Sequence, residues 1–138
     1  MRYLIDTNVL LYIILEKENM SREVSEIVKD YENTICVSSE SVKEIIHLLH
    51  CKKISTKKWK LVQDVFNTIE QELGITIRYV NREHLLTMAR LEPAPNHNDP
   101  SDHLIIAQAI TEKIPLISSD RKFGYYRKQN LNFIFNER

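Results

Sequence analysis

Glycine and proline are scarce, at 2 and 4 residues in 138, which argues against a loop-rich or many-stranded all-β fold. Cysteine is limited to Cys36 and Cys51, placed on a predicted strand and a predicted helix. They make no disulfide framework, and the absence of a CxxC pair removes the usual zinc signature. Excess charge of one sign is also missing, because 19 Lys and Arg balance 19 Asp and Glu. Any nucleic-acid contact must therefore come from a local basic patch or from bound cations, not from a global field. No long apolar run exists: the opening stretch MRYLIDTNVLLYIILEKEN is broken by Asp6 and Asn8. It is too short and polar for a membrane span and has no signal-peptide cleavage region. What remains is 43% hydrophobic and 28% charged, enough apolar material for a core. The expectation is a soluble, intracellular (cytoplasmic) protein with one domain over residues 1–138 and no membrane association.

The apolar pattern alternates between short and helical periods. Tyr3-Leu4-Ile5 predicts a strand that ends at Asp6, followed by a helix through Val9, Leu10, Ile13 and Ile14. Ser21 is placed to cap a second helix carrying Val24, Ile27 and Val28, and Thr34 to Val37 is short and β-branched, a second strand. From Ser41, the residues Val42, Ile45, Ile46 and Leu49 share one helix face. Another helix is expected from Thr56 through Trp59, Val62, Phe66 and Ile69, then a stop at Gly74 and a strand over Ile75–Val80. Asn81–Arg90 reads as helix and Leu91–Asn98, with two prolines, as loop. Asp99-Pro100 opens a helix through Ala109, and strands follow at Pro115–Ser118 and Leu131–Phe135. Strands separated by helices predict an α/β domain with a mostly parallel central sheet of about five strands flanked by helices.

In such sheets ligands gather at the carboxyl ends of the strands, and two of those ends carry acid: Asp6 follows Ile5, and Asp120 follows Ser119. Each has an ordinary reading as a helix or turn cap. In Asp99-Pro100-Ser101-Asp102, Asp99 is well placed as an N-cap with Pro100 at the first helical position. Asp102 is less fully explained, since that site in a capping box favours Glu or Gln. Glu44 stands three residues after Ser41, so it reads as a capping-box acid or a solvated charge. As a set these acids repel unless divalent cations neutralise them, and Mg²⁺ takes oxygen ligands of this kind.

Two strings give the chain a family likeness. The first is Tyr3-Leu4-Ile5-Asp6-Thr7-Asn8-Val9-Leu10; the second runs from Asn98-Asp99-Pro100-Ser101-Asp102-His103 through Ala109 and on over Pro115 to Phe123. Between them lies Val37-Ser38-Ser39-Glu40-Ser41-Val42-Lys43-Glu44. In this order they resemble the PIN-domain ribonucleases, especially the VapC-type toxins of type II toxin–antitoxin pairs. The resemblance implies a PIN-like α/β domain acting as an endoribonuclease that depends on Mg²⁺ or Mn²⁺. It implies Asp6 and Asp102 as principal metal ligands, Glu44 orienting water or binding a second ion, and Asp120 completing the site. Asn8 and Ser118 fall at supporting polar positions, Ser118 standing where threonine is common, and Asp99 is a cap or supporting acid. Ser101 and His103 depart from the aromatic and arginine common in the Asp-Pro-x-Asp subgroup. An RNA substrate, a cognate antitoxin and homodimerisation are further implications.

Two alternatives remain. A PIN-like module that binds RNA or protein without turnover is expected to lack one or more of these acids. An aspartyl phosphoryl-transfer site of the haloacid-dehalogenase type wants an Asp where Asn8 stands. Lys52, Lys53, Lys57, Lys58 and Lys60 around Trp59, and Arg121, Lys122, Arg127 and Lys128 beside Asp120, are available for phosphate. The ordinary reading of the first group is a solvated face with a packed Trp59. His47, His50 and Cys51 make an incomplete zinc site, His97 with Asp99 likewise, and Tyr125-Tyr126 reads as packing.

Overall fold

The computed structural model describes residues 1–138. The first half contains β1 (Arg2–Ile5), α1 (Thr7–Leu15), α2 (Arg22–Lys29), β2 (Thr34–Ser38), α3 (Ser39–His50) and α4 (Asp64–Asn67). The second half contains β3 (Thr76–Arg78), α5 (Arg82–Arg90), α6 (Pro100–Glu112), β4 (Leu116–Ser118) and β5 (Phe133–Phe135). The five strands form one sheet in the order β3-β2-β1-β4-β5, and every pairing is parallel.

Alternation along each strand builds two cores, because successive side chains point to opposite faces. Ile5, Ile35, Val37, Ile77 and Ile117 pack with Val9, Leu10, Ile13, Val24, Val42, Ile45, Val65 and Ile69 on one face. Leu4, Cys36 and Leu116 pack with Ile105, Ile106, Ala109, Phe123, Tyr126 and Leu131 on the other. Burial on both faces explains why the strands read as apolar runs and not as alternating ones. The Cys36 thiol is part of this packing and is free, as is the exposed Cys51. No helix is long and apolar enough to cross a membrane.

The helix expected from Thr56 through Ile69 forms only in its second half: residues 51–63 make turns and bends, and helix begins at Asp64. The Asp64 carboxylate Oδ2 accepts from the N–H groups of Lys60 and Leu61, both at 3.0 Å. The Trp59 indole N–H donates to Thr68 Oγ1 at 2.8 Å. These bonds fold the segment back on the start of α4, so Trp59 packs against the core from a turn, while Phe66 and Ile69 do so from helical turns. After α4 the chain widens into a π-turn over Thr68–Glu72 and stops at Gly74 with φ +63°, a conformation glycine adopts without the usual side-chain clash. The strands expected at Ile75–Val80 and Leu131–Phe135 are each shorter, at Thr76–Arg78 and Phe133–Phe135.

The strand order places β1 between β2 and β4. The chain builds outward through β2 and β3 on one side, then through β4 and β5 on the other. That reversal opens a crevice beyond the carboxyl ends of β1 and β4, where Asp6 and Asp120 sit.

Candidate metal centre

Asp6 directly follows β1, and its N–H donates to Ile117 O of β4 at 3.1 Å. Its Oδ1 accepts from Val9 N–H at 2.9 Å and caps α1. It is nevertheless only 6% exposed. Burial pushes its carboxyl up to about 7, against hydrogen bonds from the Ser118 hydroxyl and Val9 N–H, with Asp102 and Asp120 adding repulsion. The capping role anticipated for Asp6 is therefore real, but a cap needs neither burial nor neighbouring acids.

Ser118, fully buried at the end of β4, links two acids. Its hydroxyl donates to Asp6, and its Oγ accepts from Asp120 N–H at 3.0 Å. Asp120 in turn caps the 3₁₀ segment Arg121–Gln129, its Oδ1 accepting from Lys122 N–H at 2.9 Å.

Glu44 comes from the second turn of α3, whose cap differs from expectation. The helix starts at Ser39 with Ser38 as N-cap, the Ser38 Oγ accepting from Glu40 N–H at 3.0 Å. Ser41 is not a cap; it is fully buried, with its hydroxyl 2.9 Å from Thr7 Oγ1. Thr7 Oγ1 donates to Glu44 Oε1 at 2.9 Å, so Glu44 is half-buried and oriented by α1 instead of solvated. Burial raises its carboxyl, opposed by the Thr7 hydrogen bond, with Asp99, Asp102 and Glu40 raising it further. No local pattern signals this role for Thr7 or Ser41, since their contacts span 34 and 37 positions.

The start of α6 supplies the remaining acids. Asp99 Oδ1 accepts from Ser101 N–H at 2.9 Å, the expected cap before Pro100. Asp102 Oδ2 lies 3.1 Å from His97 Nε2. Burial raises the Asp102 carboxyl, the His97 hydrogen bond opposes this, and Asp99 and Asp120 add repulsion. His103, at the arginine-like position, turns away to donate from Nε2 to His97 O at 2.7 Å. Ser101 reaches Glu40 Oε1 at 3.2 Å.

Asp6, Thr7, Asn8, Glu44, Asp99, Asp102, Asp120 and Phe123 line one cavity of about 140 Å³. No lysine or arginine side chain lines it. Larger hollows exist, one of about 520 Å³ between the end of α6 and Asn132, but it carries no carboxylate. The ligand atoms of His97, Asp102 and Asp120 lie within 4.8 Å of one another. Carboxylate oxygens without a facing cation are the donor set a hard divalent ion takes, so these residues fit Mg²⁺ or Mn²⁺ by their chemistry. The His47–Cys51 pair, with Sγ 3.6 Å from Nε2, is exposed and has no third donor.

A PIN domain family model matches residues 3–129. Among solved structures, the chain resembles VapBC2 from Rickettsia felis, described as bound to a DNA fragment from their promoter, at 21% identity and TM-score 0.71, covering 99% of this chain and 100% of that one. VapBC-1 from nontypeable Haemophilus influenzae is similar at 18% identity and TM-score 0.65, over 98% of each chain. FitAcB from Neisseria gonorrhoeae is similar at 17% identity and TM-score 0.62, over 97% of this chain and 96% of that one. No curated protein sequence matches. At these identities the structural likeness is one of fold, whereas the family match spans nearly the whole sequence: the chain belongs to the PIN domain family.

Proposed function

We propose that this protein is a metal-dependent endoribonuclease, the toxin component of a type II toxin–antitoxin pair. The observation that carries the reading is the cavity itself, in which Asp6, Glu44, Asp99, Asp102 and Asp120 meet with no basic side chain among its lining. In this reading Asp6, Asp102 and Asp120, with Glu44, hold Mg²⁺ or Mn²⁺ through their carboxylate oxygens, and Asn8 and Ser118 support them. The ion, when bound, supplies Lewis-acid charge to a phosphodiester oxygen and makes water acidic enough to attack near neutral pH.

The chain's own residues do the rest. Thr7 fixes Glu44 Oε1, leaving Glu44 Oε2 to bind an ion or to orient the attacking water. Ser118 holds Asp6 through its hydroxyl while tethering the backbone of Asp120. Arg121 and Lys122, both exposed beside Asp120, supply the local positive charge for RNA phosphates that the neutral chain otherwise lacks. The fold likeness to VapBC and FitAcB structures supports a cognate antitoxin as partner. A homodimer acting in the cytoplasm completes the proposal.

Purified protein incubated with transfer, ribosomal and messenger RNA in Mg²⁺ or Mn²⁺ is expected to cut at least one of them. Direct attack by water leaves a 5′-phosphate and a 3′-hydroxyl. Products ending in a 2′,3′-cyclic phosphate would mean attack by the ribose and would overturn the mechanism. Failure to cut any RNA with either ion would instead favour a binding module.

A further inference from the structure

His97 is 3% exposed and lies in the loop before α6. Its two ring nitrogens face different partners. Nδ1 lies 2.7 Å from the hydroxyl of Tyr126, and Nε2 lies 3.1 Å from Asp102 Oδ2. Tyr126 is fully buried, and its oxygen also accepts from Ala94 N–H at 2.9 Å.

Proton accounting assigns the tautomer. The phenol has one hydrogen and must donate it. Ala94 offers only an N–H, so the available acceptor for the buried Tyr126 O–H is His97 Nδ1. A bare Nδ1 puts the proton of the neutral ring on Nε2, aimed at Asp102 Oδ2. The chain of donors therefore runs from Ala94 through Tyr126 and His97 to Asp102. The loop that carries the ring is fixed as well: His97 N–H donates to Ala94 O at 3.1 Å, and His103 Nε2 donates to His97 O at 2.7 Å.

We propose that His97 is a positioning residue for the cation site, with Nε2–H holding one oxygen of Asp102 so that the other is presented to the ion. The proposal rests on the cation site described under the proposed function. The competing assignment makes His97 itself a ligand, since its nitrogen lies within 4.8 Å of the Asp102 and Asp120 oxygens. Ligation requires the Nε2 lone pair and hence a proton on Nδ1. The Tyr126 hydroxyl would then receive two donors and have nowhere to send its own hydrogen. The buried tyrosine thus argues for positioning. Partners that orient a metal-binding side chain in this way typically change metal affinity by about 10–100-fold when removed.

The test is Mn²⁺ binding followed by electron paramagnetic resonance, with no RNA present. His97→Phe keeps the ring volume and loses the donor, and is expected to weaken Mn²⁺ by about 10–100-fold. His97→Gln restores an N–H donor near the position of Nε2 and is expected to bind close to wild type. Pulsed spectra of wild type should show no directly bonded nitrogen. His97→Leu replaces the phenylalanine variant if melting shows that variant unfolded. Wild-type affinity in the donorless variant, or a directly bonded nitrogen in the wild type, would overturn the proposal while leaving the cation site intact. If wild type itself fails to bind Mn²⁺, or Asp102→Asn binds equally well, the cation site and the inference fall together.

Discussion

Asp6→Asn and Asp102→Asn should each lower RNA cleavage by more than about a hundredfold, beyond the range expected for partners that only orient a ligand. Asp99→Asn should retain turnover within about tenfold, the milder end of that same range. All three acids line the same cavity, so position alone does not separate them. Their local bonds do. Asp99 is exposed and its visible work is to cap α6 through Ser101 N–H. Asparagine caps about as well as aspartate, so the exchange costs at most a few tenths to about 1 kcal/mol. Asp6 also caps a helix, and asparagine preserves that bond. What Asp6→Asn and Asp102→Asn remove is a negative oxygen from a site built to hold a divalent cation. Cleavage rates of the purified variants, compared at equal folded fraction, check the ranking. Loss of turnover in Asp99→Asn with survival in Asp102→Asn would reverse the assignment within Asp99-Pro100-Ser101-Asp102.

Stability in EDTA should fall as pH rises from about 4 to about 7, the interval set by the Asp6 shift from 3.8 to about 7. A carboxyl raised in the folded state binds its proton more tightly there than in the unfolded chain. Its contribution is fully present below the unfolded value and is lost as pH climbs through the folded one. For Asp6 the loss is at most on the order of 4 kcal/mol, and the upward shifts of Glu44 and Asp102 act in the same direction. Asp6→Asn removes the titrating group, so its melting temperature should vary less with pH and should exceed that of wild type at pH 8 without metal. Mn²⁺ should restore wild-type stability at pH 8 by occupying the repelling carboxylates. Thermal melts across pH, with EDTA or Mn²⁺, read all of this; a wild type whose melting temperature in EDTA rises steadily from pH 4 to pH 7 would refute it.

Much of the sheet was legible because both faces are buried, which writes short β-branched runs such as Thr34–Val37 directly into the sequence. The cap of α6 was equally legible, since Asp99-Pro100 is a local signal and its bond spans two residues. Legibility fails where distant bonds outweigh local pattern. Trp59, Val62, Phe66 and Ile69 have helical spacing, yet the Asp64 carboxylate and the Trp59–Thr68 bond hold residues 51–63 in turns. Ser41 has the spacing of a cap, but α3 begins at the end of β2 and Ser41 is drawn into contact with Thr7 instead.

The site divides the same way. Asp6 and Asp120 stand at strand ends and could be singled out from the sequence alone. Their meeting with Glu44 and Asp102 depends on the strand order, which no local spacing encodes; only the family likeness pointed to it. In the sequence His97 stands with only Asp99 beside it, and two local donors do not make a metal site. Its partner Tyr126 is 29 positions away, and only the folded chain reveals that the imidazole has a fixed proton and a fixed target.

Calorimetric titration of wild type with Mn²⁺ at pH 6, in buffers of different ionisation enthalpy, reads directly whether the acids that line the cavity hold a cation. Asp6, with its carboxyl raised to about 7, is mostly protonated at that pH and must give up its proton to bind. Saturable binding is expected, accompanied by release of roughly one proton, or more if Glu44 and Asp102 contribute, with both binding and release strongly reduced in Asp6→Asn. Absence of saturable binding, or equal binding and proton release in wild type and Asp6→Asn, would rule out a cation site at these acids.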